Sequence, residues 1–374
     1  MDTSQLIPEN IQKLQAYTPG KTIEEVIKAH NPKRISKLAS NENRLGSSPK
    51  AVEKAQESFE TINNYPDSAS LDLKNKLAEW HGVQPERIIV GAGSESLIAM
   101  ITRAFFSEGE TALTASATFV GFFVSCRIKG IQLKQVGMSE NYGFDLEKIA
   151  EALTDEVKLV YLANPNNPTG TYFTKSELDS FLDKVPSNVL VVLDEAYYEF
   201  AKDYASDYPN GLTYDHPNII VLRTFSKAYG LAGFRVGYGI AAPDLITAMS
   251  KTKLVFEPSA PAQYAAMGAL EDHDFLEETC KMTHLGRVRI YETLGNFNIP
   301  FAESYANSVM AVFDDEQEAE YFTNEMLKRG VILRRLPGFG LPNCVRITVG
   351  VQEEMDHFEA ALEEVYNKKS DLKE

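Results

Sequence analysis

Cysteine is scarce in this chain: Cys126, Cys280 and Cys344 are the only three in 374 residues, and they lie far apart. Neither a disulfide framework nor a paired-thiolate metal site follows from them, and a reducing compartment is expected. No apolar run approaches the ~20 residues that span a bilayer. The start, MDTSQLIPEN, lacks the basic stretch and apolar core of a secretory signal, so a cytoplasmic location is expected. The six histidines show no HExxH or other ligand spacing, and there is no GxxxxGK[ST] loop. Metal and nucleoside-triphosphate chemistry are therefore not expected. Cations are outnumbered, with 37 Lys and Arg against 53 Asp and Glu, for a formal charge of -16. That balance argues against nucleic acid or an acidic membrane surface as partner, and an anionic substrate must be gathered by local arginines.

What is present is an ordinary globular composition, 44% hydrophobic and 24% charged, in a chain long enough for two domains. Residues 1–45 are polar and broken by Pro8, Pro19, Gly20 and Pro32, which reads as an arm that joins a smaller domain. From residue 46 to 257 the pattern alternates strand and helix. Apolar runs at 88–90, 111–115, 131–136, 158–163 and 189–193 read as strands, and Thr174 with Glu177 forms a capping box for a helix. This alternation predicts an α/β domain with a mainly parallel sheet covered on both faces. Residues 258–374 read as a smaller α+β domain, with one long helical segment over about 263–294 and a final helix from about 353.

The centre of the chain is Leu222 to Gly239, LRTFSKAYGLAGFRVGYG. An apolar strand breaks into Thr224, Ser226 and Lys227, Gly230 and Gly233 permit a turn, and Arg235 opens a second strand-like run. One amine, two hydroxyls and one guanidinium around a tight bend suit a phosphate beside a carbonyl, because lysine can form an imine and arginine offers a charged fork. Ligands in open α/β sheets sit at the carboxyl ends of strands. Gly91-Ala-Gly93-Ser94-Glu95 follows one strand and opens a helix, so its amides can hold a phosphate. Asp194 ends a wholly apolar strand and needs a cationic or hydrogen-bonding partner there. Asn167 and Tyr197 can hydrogen-bond a phenolic oxygen or stand as a turn residue and a core aromatic, and Phe119 can stack on a flat ring or pack in the core. Arg346, in the alternating run VRITV, needs an anion if it points inward, and Arg334 stands before the same turn.

The pieces AYTPGKTIEEV, LASNEN, NYPD, GAGSESL, NPNNPTG, VVLDEAYYEF, TFSKAYGLAGFRVGYG and GLPNCVRITVG run in order over nearly the whole chain. In these the sequence resembles the fold-type-I, pyridoxal-phosphate-dependent aminotransferases of class I/II, and most of all the histidinol-phosphate aminotransferase family. The resemblance implies a seven-stranded, mainly parallel sheet between helices with a smaller α+β domain. It implies pyridoxal 5'-phosphate bound as an imine on Lys227, which would shuttle the proton between the substrate α-carbon and the cofactor C4′. Asp194 would pair with the pyridine nitrogen, and Asn167 and Tyr197 would contact the ring oxygen. Phe119 would stack on the ring, while Arg235, Thr224, Ser226 and the amides of Ser94 and Glu95 would hold the phosphate. Tyr65 would reach the phosphate of a neighbouring subunit, which makes the active unit a homodimer. Arg346, with Arg334, Asn43 and Tyr17, would bind the acidic end of the substrate. The sequence departs from the usual family pattern at Arg44 and Ala117, where proline is common, and at Ala92, where asparagine is common.

The implied reaction is a ping-pong transamination between an amino donor and a 2-oxo acid. Histidinol phosphate with 2-oxoglutarate is the first expectation, and an aromatic amino-acid aminotransferase acting on phenylalanine or tyrosine the second. A nicotinamide-dependent oxidoreductase would use the glycine turn, but the third glycine and the ribose-binding acid are missing. A non-catalytic sensor of the same fold would more readily have lost Lys227.

Overall fold

The computed structural model describes residues 3–14 and 20–371. Thirteen strands occur among them, β1 (Ser36–Lys37), β2 (Ile88–Gly91), β3 (Thr111–Ala115), β4 (Gln132–Val136), β5 (Val157–Ala163), β6 (Leu190–Asp194), β7 (Ile219–Thr224), β8 (Gly237–Ala241), β9 (Phe301–Ala302), β10 (Ser308–Val312), β11 (Val331–Ile332), β12 (Arg334–Leu336) and β13 (Leu341–Thr348). Seven of these form one sheet in the order β2-β8-β7-β6-β5-β3-β4. Strand β8 runs antiparallel to both neighbours, while β7, β6, β5, β3 and β4 pair in parallel. The middle strand β6, LVVLD, is buried along its whole length, as expected of a strand covered on both faces.

One face of the sheet packs under the helices Ser94–Phe105, Val120–Lys129 and Lys175–Leu182, with Leu97, Phe122, Phe181 and Leu178 in the core. The other packs under Pro49–Glu57, Leu71–His81 and Ala260–Leu270, which contribute Ala51, Leu73, Leu77 and Ala265. A second sheet, β12-β13-β10-β9, and the parallel pair β1-β11 are backed by the helices His273–Asn296, Glu316–Lys328 and Gln352–Asp371 around a separate core that includes Ile290, Phe322 and Phe358.

Four differences from the sequence reading have local causes. The segment expected as one long helix is two, Ala260–Leu270 and His273–Asn296. Asp272, between them, accepts from the Ser48 hydroxyl at 2.6 Å and the Lys50 amide, a tertiary tie that overrides a continuous helical pattern. Because the first of the two packs with Ala51 and Ala55 against the large sheet, we propose that the boundary between the two units lies at this break and not at residue 258. The polar arm contains a helix, Ile23–His30, with its own capping box from Thr22 and Glu25. Short helices also form at Leu146–Glu151 and Pro243–Ser250, started by Asp145 and by Pro243 at the first turn.

Only one of the two glycines of the central turn is demanded by the backbone. Gly230 has φ +70°, and a Cβ there would fall on the carbonyl oxygen of Gly46, while Gly233 has open space around it. The Ser47 hydroxyl donates to the Gly230 carbonyl at 2.7 Å, closing the loop at 46–47 onto the turn. Gly230→Ala is expected to lower unfolding free energy by about 2–4 kcal/mol, through strain and overpacking together. Gly233→Ala should change it by less than about 0.5 kcal/mol. Paired urea titrations measure both, and equal midpoints for the two variants would contradict this account.

Candidate active site

The topology gathers the chemistry at one edge of the large sheet. The loops after β2, β3, β5, β6 and β7 all leave from strand C-termini, and β8, running the other way, begins at that edge. One cavity is lined by Ser94 and Glu95 after β2, Phe119 after β3, Ala163, Pro165 and Asn167 at and after β5, and Asp194, Ala196 and Tyr197 at and after β6. Thr224, Ser226 and Lys227 at the end of β7 and Arg235 before β8 complete it. Asp194 and Lys227 thus face the same cavity from neighbouring parallel strands. A larger groove lined by Tyr142, Tyr172, Glu140, Glu147, Glu177 and Glu303 lies elsewhere, and among the described residues its acidic lining includes Lys184 alone as a cation. It holds none of the candidate site residues singled out from the sequence.

At the anion-binding end, the helix Ser94–Phe105 starts at Gly93 with no side-chain cap, so its first-turn amides are open to a ligand. Gly93 has φ +83°, and a Cβ there would come within 2.9 Å of Arg235 Nη2. The guanidinium can lie against the backbone only because that position is glycine. Arg235 itself holds φ +55°, an uncommon conformation for a bulky residue. Its Nη1 donates to Ser226 Oγ at 3.4 Å and to the Ala232 carbonyl at 3.2 Å. The Ser226 amide donates to Thr224 Oγ1 at 3.1 Å. Two hydroxyls, a guanidinium and uncapped amides form a cradle whose donors suit a phosphate.

Asp194 lines the same cavity and is buried, 4% exposed. Its Oδ2 accepts from the Tyr161 hydroxyl at 2.5 Å, and its Oδ1 from the Ala196 amide at 3.2 Å. Burial pushes the carboxyl up to about 6, against the lowering effects of the Tyr161 hydrogen bond, the Ala196 amide and the Lys227 charge. A buried carboxylate in this state is suited to a cationic ring nitrogen. The Lys227 Nζ lies 3.5 Å from the Asn41 carbonyl oxygen and 5.7 Å from the centre of the Tyr197 ring. A donor cradle, a buried carboxylate and an amine lining one cavity match the parts of pyridoxal phosphate, so the residues present fit that group.

A cleft adjoining the cavity is lined by Lys37, Asn41, Phe119, Lys227, Arg334 and Arg346, among others. Arg334 and Arg346 are directly opposed across β12 and β13. Like charges in that relation repel, and an anion between them relieves the repulsion. Arg346 Nη1 donates to Asn167 Oδ1 and its Nη2 to the Ala39 carbonyl at 2.9 Å. With its oxygen so engaged, Asn167 keeps its amide hydrogens for the cavity. Among the described residues, Arg334 has no carboxylate within ion-pair distance.

Two substrate or cofactor candidates fall elsewhere. Asn43 lines neither space, because its side chain is committed to the Ala228 carbonyl at 3.0 Å, to Thr279 at 3.1 Å and to the Leu45 amide. The asparagine that faces the site is Asn41. Tyr65 is outside its own chain's cavity, 80% exposed and stacked on Phe256 with centroids 4.2 Å apart. Tyr17 lies outside the described residues. Tyr161 was missed because it sits inside an apolar strand, VKLVYLA, where nothing but sheet register shows that its hydroxyl meets Asp194. Arg44, where the family usually has proline, pairs with Glu354 at 2.6 Å on the C-terminal helix.

The family model described as aminotransferase class I and II matches residues 33–362. A histidinol-phosphate aminotransferase 2 of Carboxydothermus hydrogenoformans is 40% identical, with 94% of this chain and 97% of that protein aligned. A histidinol-phosphate aminotransferase of Anaeromyxobacter is 39% identical over 96% of this chain and 98% of its own. The crystal structure of histidinol-phosphate aminotransferase from Sinorhizobium meliloti, in complex with pyridoxal-5'-phosphate, superposes with a TM-score of 0.88 at 31% identity and covers 97% of this chain and 98% of that one.

Proposed function

The chain belongs to the aminotransferase class I and II family, and from that premise we propose that it transfers the amino group of histidinol phosphate to 2-oxoglutarate. It is a pyridoxal-phosphate-dependent aminotransferase. When bound, the cofactor supplies an aldehyde that takes up amines and a ring that can hold the electron pair left when a C–H bond breaks.

The protein's residues divide the remaining work. Arg235, Ser226, Thr224 and the Ser94 and Glu95 amides hold the cofactor phosphate. Asp194, kept in place by Tyr161, holds a proton on the ring nitrogen. The Asn167 amide and Tyr197 hydroxyl orient the ring oxygen, and Phe119 covers the ring. Lys227 would be the attachment point, and its Nζ, once displaced by the donor's amine, would take the proton from the donor's α-carbon. The observation that carries this reading is that Lys227, Asp194 and Arg235 line one cavity.

The choice of donor is supported by the opposed Arg334 and Arg346 in the adjoining cleft, which suit an anionic head group in a chain of formal charge -16. Arg334→Ala is expected to raise KM for histidinol phosphate by about 10- to 100-fold with kcat within a few-fold, the loss of one charge-assisted hydrogen bond. Single turnovers with histidinol phosphate and with phenylalanine measure the preference itself. A clear preference for phenylalanine would overturn the assignment in favour of an aromatic aminotransferase.

A cytoplasmic homodimer is the proposed working unit. Tyr65, Leu254, Val255 and Phe256 expose apolar surface in two adjoining segments, tied together by Lys253 Nζ to the Ser68 carbonyl at 2.9 Å. Such a surface suits a second copy, into whose site Tyr65 would reach. No helix among the described residues is long and apolar enough to cross a membrane.

A further inference from the structure

We infer that Asn41 is a positioning residue that sets the direction of the Tyr197 hydroxyl. The inference rests on the reading of the cavity given above, and it concerns a residue from the N-terminal segment that meets both units of the fold.

Asn41 is 2% exposed and holds φ +54°. Its side-chain amide is held between Thr348 and Tyr197. The Asn41 backbone N–H donates to Thr348 Oγ1 at 3.0 Å. That hydroxyl spends its own hydrogen on Asn41 Oδ1, at 3.1 Å. On the other side of the amide, Nδ2 lies 2.9 Å from the Tyr197 oxygen, and it donates. The Tyr197 oxygen therefore accepts from Asn41, and its hydrogen is left to donate elsewhere. Among the described residues it has no other partner, and Tyr197 lines the cavity. Thr348 fixes Asn41, and Asn41 turns the phenol outward as a donor.

The main chain at the same residue acts on the amine. The Asn41 carbonyl oxygen accepts from Asn307 Nδ2 at 3.0 Å and lies 3.5 Å from Lys227 Nζ. A left-handed asparagine, held by Thr348 and Asn307 of the smaller sheet's side, thus touches both Tyr197 and Lys227 from the larger one. Strained backbone held by so many partners is the pattern expected where geometry serves a site.

The test uses the cofactor-loaded enzyme and the pH at which its visible absorbance band shifts. Asn41→Gly removes the amide and tolerates the positive φ. It is expected to move that midpoint to higher pH by about 0.5 to 1 unit, the value of one hydrogen bond. Tyr197→Phe should move it in the same direction by at least as much. In the Tyr197→Phe background, Asn41→Gly should add nothing, because its effect passes through the phenol. Thr348→Val, which frees the amide to turn over, should reproduce a smaller shift in the same direction and serves if the glycine variant folds poorly. A Tyr197→Phe shift with no shift from either Asn41→Gly or Thr348→Val overturns the inference. So does an Asn41→Gly shift that persists undiminished without the phenol. No shift from Tyr197→Phe itself removes the underlying reading of the cavity, and the inference with it.

Discussion

Lys227→Ala is expected to purify without the visible absorbance of the wild-type protein and to lose at least about 10⁴-fold in kcat/KM, the upper end of what a positioned acid–base group supplies. Two roles meet in this side chain, which is why the loss is large. Its amine is the only lysine nitrogen lining the cavity that Asp194 and Arg235 also line, among the described residues. It is also placed where the α-carbon of a donor in the adjoining cleft would lie, since Lys227 lines both spaces. Alanine leaves the cradle around Arg235 intact, so the variant should still bind the cofactor reversibly. Retained visible absorbance in Lys227→Ala would point to another lysine.

Asp194→Asn is expected to lower kcat by about 10³-fold, the size of a preorganised electrostatic contact to developing charge. Asparagine has the same shape and keeps the Tyr161 contact, so the loss reports the charge. Burial lifts the Asp194 carboxyl from its ordinary value of 3.8 to about 6. A raised carboxyl value means that the empty site takes up a proton as pH falls through about 6 and loses the anion that faces the ring nitrogen. The affinity of cofactor-free enzyme for pyridoxal phosphate should accordingly weaken below about pH 6, beyond any decline seen in Asp194→Asn. Identical pH profiles for the two proteins, measured by fluorescence titration, would contradict this role.

Much of this arrangement was legible in the sequence, for a physical reason. All strands of the large sheet but the edge strand β4, which is half-exposed, are buried nearly throughout and read as short, mainly apolar runs, and β3 at Thr111–Ala115 falls where the pattern puts it. Because such strands end at the ligand edge, Asp194, Thr224 and Lys227 could be assigned to it from their places in the runs. The break at Asp272 was not legible, since it depends on Ser48, 224 positions away in the chain. The helices Leu146–Glu151 and Pro243–Ser250 are too short to develop a periodic apolar face. In LASNEN, nothing in the spacing separates Asn41 from Asn43. The backbone does, turning the first to Tyr197 and the second to the Ala228 carbonyl. Tyr161 and the opposed arginines likewise depend on strand register, which the sequence alone does not carry.

The family likeness and the cavity make one shared demand, that the cofactor be joined to a single, specified amine. Reduction of the cofactor-loaded protein with borohydride, followed by peptide mapping, tests it directly. The cofactor mass is expected on the peptide containing Lys227 and on no other. Attachment to a different lysine, or none in a protein that binds the cofactor and turns over, would contradict the account.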